Sequence, residues 1–161
     1  VLFVCETNRA MEDTAIAEVP AVPNPAAERA SAYGLEPIAI DGNDVELVHT
    51  VANAAFKRAR DGDGPSLIEA KTYRHGGHSR ADPGKYRPDE EVAAWKAHDP
   101  VVMYHAKLLA AGVDESELNA IDQEQEDRID RAEKIATASG TPPLDIAETD
   151  VWADGSSTWR N

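Results

Sequence analysis

The alternation of two strand-like runs around one amphipathic helix constrains this chain more than any other feature. PIAID at residues 37–41 has the apolar, β-branched character of a strand and is ended by Asp41-Gly42. A helix is predicted over residues 44–60, with Val45, Val48, Ala52, Ala55, Phe56 and Ala59 on one face, stopping at DGDG. PSLIEAKTY at 65–73 is the next strand. Ahead of them, VLFVC at 1–5 is a continuous apolar run, the pattern of a strand buried on both faces. PAAERASAYG at 25–34 reads as a short helix closed by Gly34. Strand, helix, strand, helix, strand is the order of an α/β fold, a parallel sheet with crossover helices. In such sheets ligands sit beyond the carboxyl ends of the strands. Two segments leave strand ends in that way, residues 6–14 and 74–88, and the chemistry is expected there.

The first strand begins with no cap or turn ahead of it, so further chain is expected before Val1 and the sheet is read as incomplete at that end. The expected division is residues 1–88 as the later part of an α/β domain, with a loop at 72–88, followed by a helical region and tail over 89–161. In that second part Asp89 is placed to cap EEVAAWKAH, with Val92 and Trp95 inward. PVVMYHAKLLAAG starts on Pro100 and ends on Gly112. Asp114 and Glu117 form a capping-box-like pair opening a long helix to about Ser139. From Asp114 to Asp150 there are twelve acids against three bases, and the apolar positions Leu118, Ile121, Ile129 and Ile135 make a thin stripe. This predicts a solvated helix docked on one side. Trp152 and Trp159 in the tail are candidates for docking on a partner.

The chain has a net charge of -14 and no long apolar run. That balance argues against nucleic acid and against an anionic membrane surface as partners. A single cysteine, Cys5, excludes an internal disulfide framework and a multi-cysteine zinc site, and a cytoplasmic, reducing compartment is the expectation.

Against this background TYRHGGHSRADPGKYRP, residues 72–88, is anomalous. It concentrates Arg74, Arg80, Lys85 and Arg87, with Lys71 just ahead, and two of the five histidines. His75 and His78 as metal ligands need a third donor, and Asp82 is the only one nearby. HGG resembles the oxyanion loop of lipases, yet no G-x-S-x-G elbow accompanies it. An anionic ligand accounts for the cations better, and Gly76 and Gly77 allow close backbone approach to it. The bland reading of Arg87 is a pair with Asp82 or with an acid of the following helix. Gly62-Asp63-Gly64 is read as a turn. In CETNRA, the Asn8 amide oxygen and a backbone carbonyl two residues on are hard oxygen donors suited to Mg²⁺ beside a diphosphate.

Taken together, VLFVCETN, AYGLEPIAIDGNDV, GPSLIEAKTYRHGGHSRADPGKYRPDEEVAAWKAHDP and LLAAGV resemble the alpha subunit of thiamine-diphosphate-dependent 2-oxo-acid dehydrogenases. That group includes the pyruvate, branched-chain 2-oxo-acid and acetoin dehydrogenases. The similarity runs from residue 1 to about 139, with the order and spacing of the blocks intact. It implies the thiamine-diphosphate-binding fold, of which the family's Gly-Asp-Gly should lie before Val1.

By this resemblance the cofactors are thiamine diphosphate and Mg²⁺. Asn8 binds the metal through its side chain and Ala10 through its carbonyl. His78 is the catalytic residue, beside the diphosphate and the lipoyl approach, and Ser79 and Arg74 join it as cofactor-binding residues. Ser79 matches a position phosphorylated in mammalian relatives. The family has Asn where this chain has Thr7, an aromatic residue where it has Ala10, and a small, Ser/Thr-rich continuation where it has MEDT. The implied activity is oxidative decarboxylation of a 2-oxo acid, or acetoin cleavage, with acyl transfer to a lipoyl group. The implied partners are a beta subunit, in a heterotetramer of two alpha and two beta chains, and the lipoyl domain of the acyltransferase component. Two readings of other classes stand beside it. One is a non-catalytic fragment or regulatory paralogue that keeps the fold and subunit interfaces; the other is an unrelated phosphate-ligand binding module.

Overall fold

The computed structural model describes residues 1–19 and 22–148. Among the described residues the three expected strands and the helices follow one another in the expected order, with two further short strands where a polar stretch was expected. β1 (Leu2–Thr7), β4 (Pro37–Asp41) and β5 (Ser66–Lys71) form a parallel sheet of order β1-β5-β4. β2 (Ala10–Met11) and β3 (Thr14–Ala15) make a small antiparallel hairpin after β1. α1 (Pro25–Ala30) runs into a 3-10 turn closed by Gly34 in the left-handed region, φ 74°. α2 (Val45–Asp61), α3 (Asp89–Ala97), α4 (Pro100–Ala110) and α5 (Glu115–Ala138) complete the described chain. It divides into two compact units, the first spanning Val1–Gly112 and the second starting at Val113.

Local chemistry explains most of these boundaries. Asp44 caps α2 by accepting from the N–H groups of Glu46 and Leu47, and Gly62 at φ 89° ends it, so DGDG is a turn. Asp99 caps α4 through Val101 N–H with Pro100 at the first position. Two expected caps do not form. Asp89 is the first residue of α3, with Pro88 at the cap, and joins Glu90 and Glu91 in the first turn, where carboxylates favour the positive helix end. Asp114 sits at the cap of α5 with extended backbone, but its exposed side chain makes no capping bond.

β5 is the central strand and carries the core: Ile68 and Ala70 are buried, as are Ala27, Ala30 and Ala55 of the helices packed on the sheet. β1 departs from expectation. It lies at the sheet edge, paired with β5 on one side only, and among the described residues Phe3 stays 52% and Val4 63% exposed. On α2, Val48, Ala52, Ala55 and Ala59 turn inward, whereas Val45 and Phe56 stay exposed. In the second unit Leu118 is buried, while Ile121, Ile129 and Ile135 are exposed, so the stripe expected to dock is covered only at its start. Trp152 and Trp159 lie outside the described residues. Among the described residues no helix is long and apolar enough to cross a membrane.

Glu69 is a buried charge in a strand that reads as apolar. It is fully buried in β5 and accepts from Thr7 Oγ1 at 3.0 Å and from the N–H groups of Ala26 and Ala27 at 3.0 and 2.8 Å. Asn24 provides no side-chain cap for α1, so the Glu69 carboxylate does that work from the sheet.

Candidate active site at the carboxyl edge of the sheet

The parallel register aligns Thr7 with Lys71 and Asp41 with Lys71, so all three strands end on one edge. From there the backbone of the loop is pinned to the end of β1. Thr72 N–H donates to Thr7 O at 3.1 Å and Arg74 N–H to Asn8 O at 3.3 Å. The two segments expected to carry chemistry are thereby brought side by side.

The first segment forms a tight turn. Arg9 and Glu12 both adopt positive φ, 67° and 53°, which for residues other than glycine costs about 1–2 kcal/mol each. Ile16 N–H donates to Arg9 O at 3.0 Å, which makes Ala10 and Ala15 a non-hydrogen-bonded pair of the hairpin. The N–H and carbonyl of Ala10 therefore point away from β3, and the N–H meets Asn8 Oδ1 at 3.3 Å. A carboxamide oxygen with a lone pair left and a carbonyl free of the ladder thus look out together, a donor pair of the hard-oxygen kind that Mg²⁺ takes. Both residues line a cleft of 410 Å³ together with Thr7, Arg9, Ala26 and Arg29. Two oxygen donors side by side fit the expected metal in kind.

The second segment is organised by Asp82. Its carboxylate accepts from His78 N–H at 2.6 Å, Gly84 N–H at 2.8 Å and the Tyr86 hydroxyl at 2.9 Å. These bonds hold its pKa below the ordinary value, the His78 N–H first among them. Tyr86 in turn accepts from Arg74, which also donates to Glu12 O in the hairpin turn. Desolvation first, and then the bond to Asp82, raise the Tyr86 phenol. Arg87 donates to the carbonyls of Arg74 and Gly76, the latter at 2.8 Å. Arg87, read as an anion-facing cation, therefore faces loop carbonyls and pairs with neither Asp82 nor a helix acid, while Arg74 spans the Glu12 carbonyl of the hairpin turn and the Tyr86 hydroxyl. Arg80 and Lys85 stay exposed. Gly77 answers to Asp82: a Cβ there would lie 2.2 Å from the Asp82 carbonyl, whereas Gly76 has open space.

His78 is exposed at the loop surface, its Nδ1 3.5 Å from Arg74 and its Nε2 3.7 Å from Glu12 Oε1. Ser79 is exposed beside it, and its carbonyl accepts from Asp82 N–H at 3.1 Å. Of the expected site residues, Asn8 and Ala10 share one turn, Arg74 touches both that turn and His78, and Ser79 adjoins His78 in the loop. His75 points elsewhere, its Nδ1 3.3 Å from Asp99. Among the described residues no cluster of three His, Cys, Asp or Glu side chains could hold a metal, and Asp82, the third donor considered for zinc, is committed to the loop.

Several supporting residues carry no obvious sequence signal. Asp41 at the end of β4 meets His98 Nε2 at 2.9 Å, and Asn43 Nδ2 donates to His98 O at 2.8 Å, fixing the α3–α4 corner to the strand edge. Trp95 stacks on Tyr73 with centroids 5.3 Å apart and planes 2° from parallel. Arg9 lies over Trp95 at 5.2 Å and Arg87 over Tyr73 at 5.4 Å, each contact worth about 1 kcal/mol. A second cavity of 360 Å³ opens between hairpin and loop, lined by Ala10, Tyr73, Tyr86, Arg87 and Glu91 among others. Burial, with Glu91 beside it, raises the Tyr73 phenol.

Comparison with known proteins matches the sequence to one family. The family model described as "Dehydrogenase E1 component" covers residues 1–145. The chain is 38% identical over 149 residues to the pyruvate dehydrogenase E1 component subunit alpha of Porphyra purpurea, covering 92% of this chain and 42% of that one. It is 35% identical over 153 residues to the alpha subunit of the Bacillus subtilis acetoin:2,6-dichlorophenolindophenol oxidoreductase, covering 94% and 45%. Over 88 residues it is 48% identical to the 3-methyl-2-oxobutanoate dehydrogenase subunit alpha of Mycobacterium tuberculosis, covering 54% and 24%. The chain spans less than half the length of these curated relatives. With residues 1–145 matched by the family model and these three relatives alpha subunits, the chain belongs to the dehydrogenase E1 component family.

Proposed function

We propose that this chain forms the cofactor-turn and loop portion of the alpha subunit of a thiamine-diphosphate-dependent dehydrogenase. The enzyme oxidatively decarboxylates a 2-oxo acid, or cleaves acetoin, and passes the acyl group to a lipoyl group. The observation that carries this reading is the bond from Arg74 N–H to Asn8 O, which sets a hard-oxygen turn and a histidine-bearing loop against one another at the carboxyl edge of a parallel sheet.

In this reading Asn8 Oδ1 and the Ala10 carbonyl hold Mg²⁺ beside the diphosphate. Thiamine diphosphate, when bound, supplies the carbon nucleophile and electron sink of the reaction. Arg74 faces the diphosphate side through its position between turn and loop, with Ser79 at the loop surface. His78, exposed and adjacent to Arg74, donates or stabilises charge as the acyl group meets the lipoyl arm. A beta subunit completes the site in an assembly of two alpha and two beta chains, and the lipoyl domain of the acyltransferase component docks where His78 is exposed. The cytoplasmic compartment expected from the composition belongs to the same proposal.

The test is calorimetric binding of thiamine diphosphate with Mg²⁺ to the complete alpha chain assembled with its beta subunit. Saturable, Mg²⁺-dependent binding supports the reading. Absence of binding by the assembled complex overturns it in favour of a non-catalytic paralogue.

A further inference from the structure

We propose that Arg9, stacked on Trp95, is a positioning residue for the oxygen-bearing turn, and that the stack transmits the order of this turn to the loop at 72–88. What the turn holds rests on the function proposed above; the coupling between turn and loop rests on geometry alone.

Arg9 stands between Asn8 and Ala10, and its left-handed backbone, φ 67°, sends its carbonyl into the hairpin and leaves its neighbours facing each other. A non-glycine residue holds that conformation only where its surroundings fix it. The fixing contact in view is the guanidinium over the Trp95 ring at 5.2 Å. Trp95 lies flat on Tyr73, which is 8% exposed, so this part of the stack is largely shielded from water. Arg87 also lies over the Tyr73 ring, at 5.4 Å. Arg87 then holds the carbonyls of Arg74 and Gly76, and Arg74 N–H returns to Asn8 O.

The contacts close on themselves: Asn8, Arg9, Trp95, Tyr73, Arg87, Arg74 and back to Asn8. They join the end of β1, α3, the end of β5 and the loop. In a closed circuit of this kind, removing one link loosens groups that it does not touch, which is the non-additivity expected of residues sharing partners. A turn ordered by its ligand would tighten the loop through Trp95 and Tyr73, and a disordered loop would release Arg9.

The experiment uses the complete alpha chain assembled with its beta subunit and follows trypsin cleavage after the exposed Arg80 and Lys85 by mass spectrometry, without cofactor. Arg9→Ala is expected to cleave roughly tenfold faster at these sites with a nearly unchanged melting temperature, and Trp95→Leu at least as fast there without faster cleavage elsewhere. Arg9→Lys, which keeps the charge but not the planar stack, should fall between. Arg60→Ala, which removes a comparable contact at 5.5 Å from Phe56 on α2, should leave loop cleavage unchanged. In the same complex Arg9→Ala should raise the Mg²⁺ concentration needed for thiamine diphosphate binding about tenfold. Unchanged cleavage in Arg9→Ala and Trp95→Leu overturns the proposal. So does faster cleavage throughout the chain with a lowered melting temperature, which would make the stack ordinary packing. If the parent complex binds no thiamine diphosphate, the functional reading fails while the cleavage comparison still decides the coupling.

Discussion

The carboxylate of Asp82 accepts from the backbone N–H of His78 at 2.6 Å, so the residue expected to do chemistry is held by one four positions further along the same loop. The Tyr86 hydroxyl and Gly84 N–H complete the arrangement. Loop order therefore depends on Asp82 being ionised.

The pH dependence follows from the sign of that shift. Asp82 has a folded pKa lowered from 3.8, so its contribution is full above 3.8 and is lost as pH falls from there through the depressed folded value. The amide signal of Gly84, which donates to the same carboxylate, should hold down to about pH 4 and move below it. In Asp82→Asn that step should vanish. A step persisting in the variant would assign it to another group.

Gly77 and Gly76 are predicted to differ sharply. Gly77→Ala places a methyl against the Asp82 backbone and should lower lipoyl-linked turnover by about tenfold or more, as misplacement near a reacting centre does. Gly76→Ala meets nothing within 4 Å and should remain close to the parent. Steady-state assay of the two variants side by side checks this, and equal effects would contradict it.

Stability should report on Glu69. Glu69→Ala leaves Thr7 and the first N–H groups of α1 without their acceptor and should cost about 2–4 kcal/mol in denaturant unfolding. Glu69→Gln can keep its oxygen for the N–H groups and turn its amide to Thr7, and should cost about 1 kcal/mol. Equal losses would show that the charge, rather than the bonding pattern, matters.

The sequence made the parallel sheet legible because periodicity and turn residues agree there: PIAID is β4, and α2 stops at the DGDG turn. The site was legible as two segments on one strand edge, since Asn8 and residues 72–88 follow strand ends. The internal wiring was not. Positive φ at Arg9 and Glu12 has no marker in residues that are not glycine, so the β2–β3 hairpin read as a polar stretch. Arg87 read as anion-facing because charge does not reveal that its partners are carbonyls. The apolar run of β1 reads as buried on both faces, since periodicity reports what a strand prefers and not which neighbours are present; here it is an edge strand.

The central claim is that turn and loop divide the work, Asn8 and Ala10 holding the cofactor's metal and His78 serving the acyl transfer. Its most direct test is one pair of variants in the complete alpha–beta complex, each measured for calorimetric thiamine diphosphate binding and for lipoyl-linked turnover. Asn8→Ala should weaken Mg²⁺-dependent binding and turnover together. His78→Ala should leave binding within about twofold while turnover falls about a hundredfold, the loss expected of an acid–base group. Turnover equal to the parent in His78→Ala, or cofactor binding unaffected in Asn8→Ala, would contradict the account.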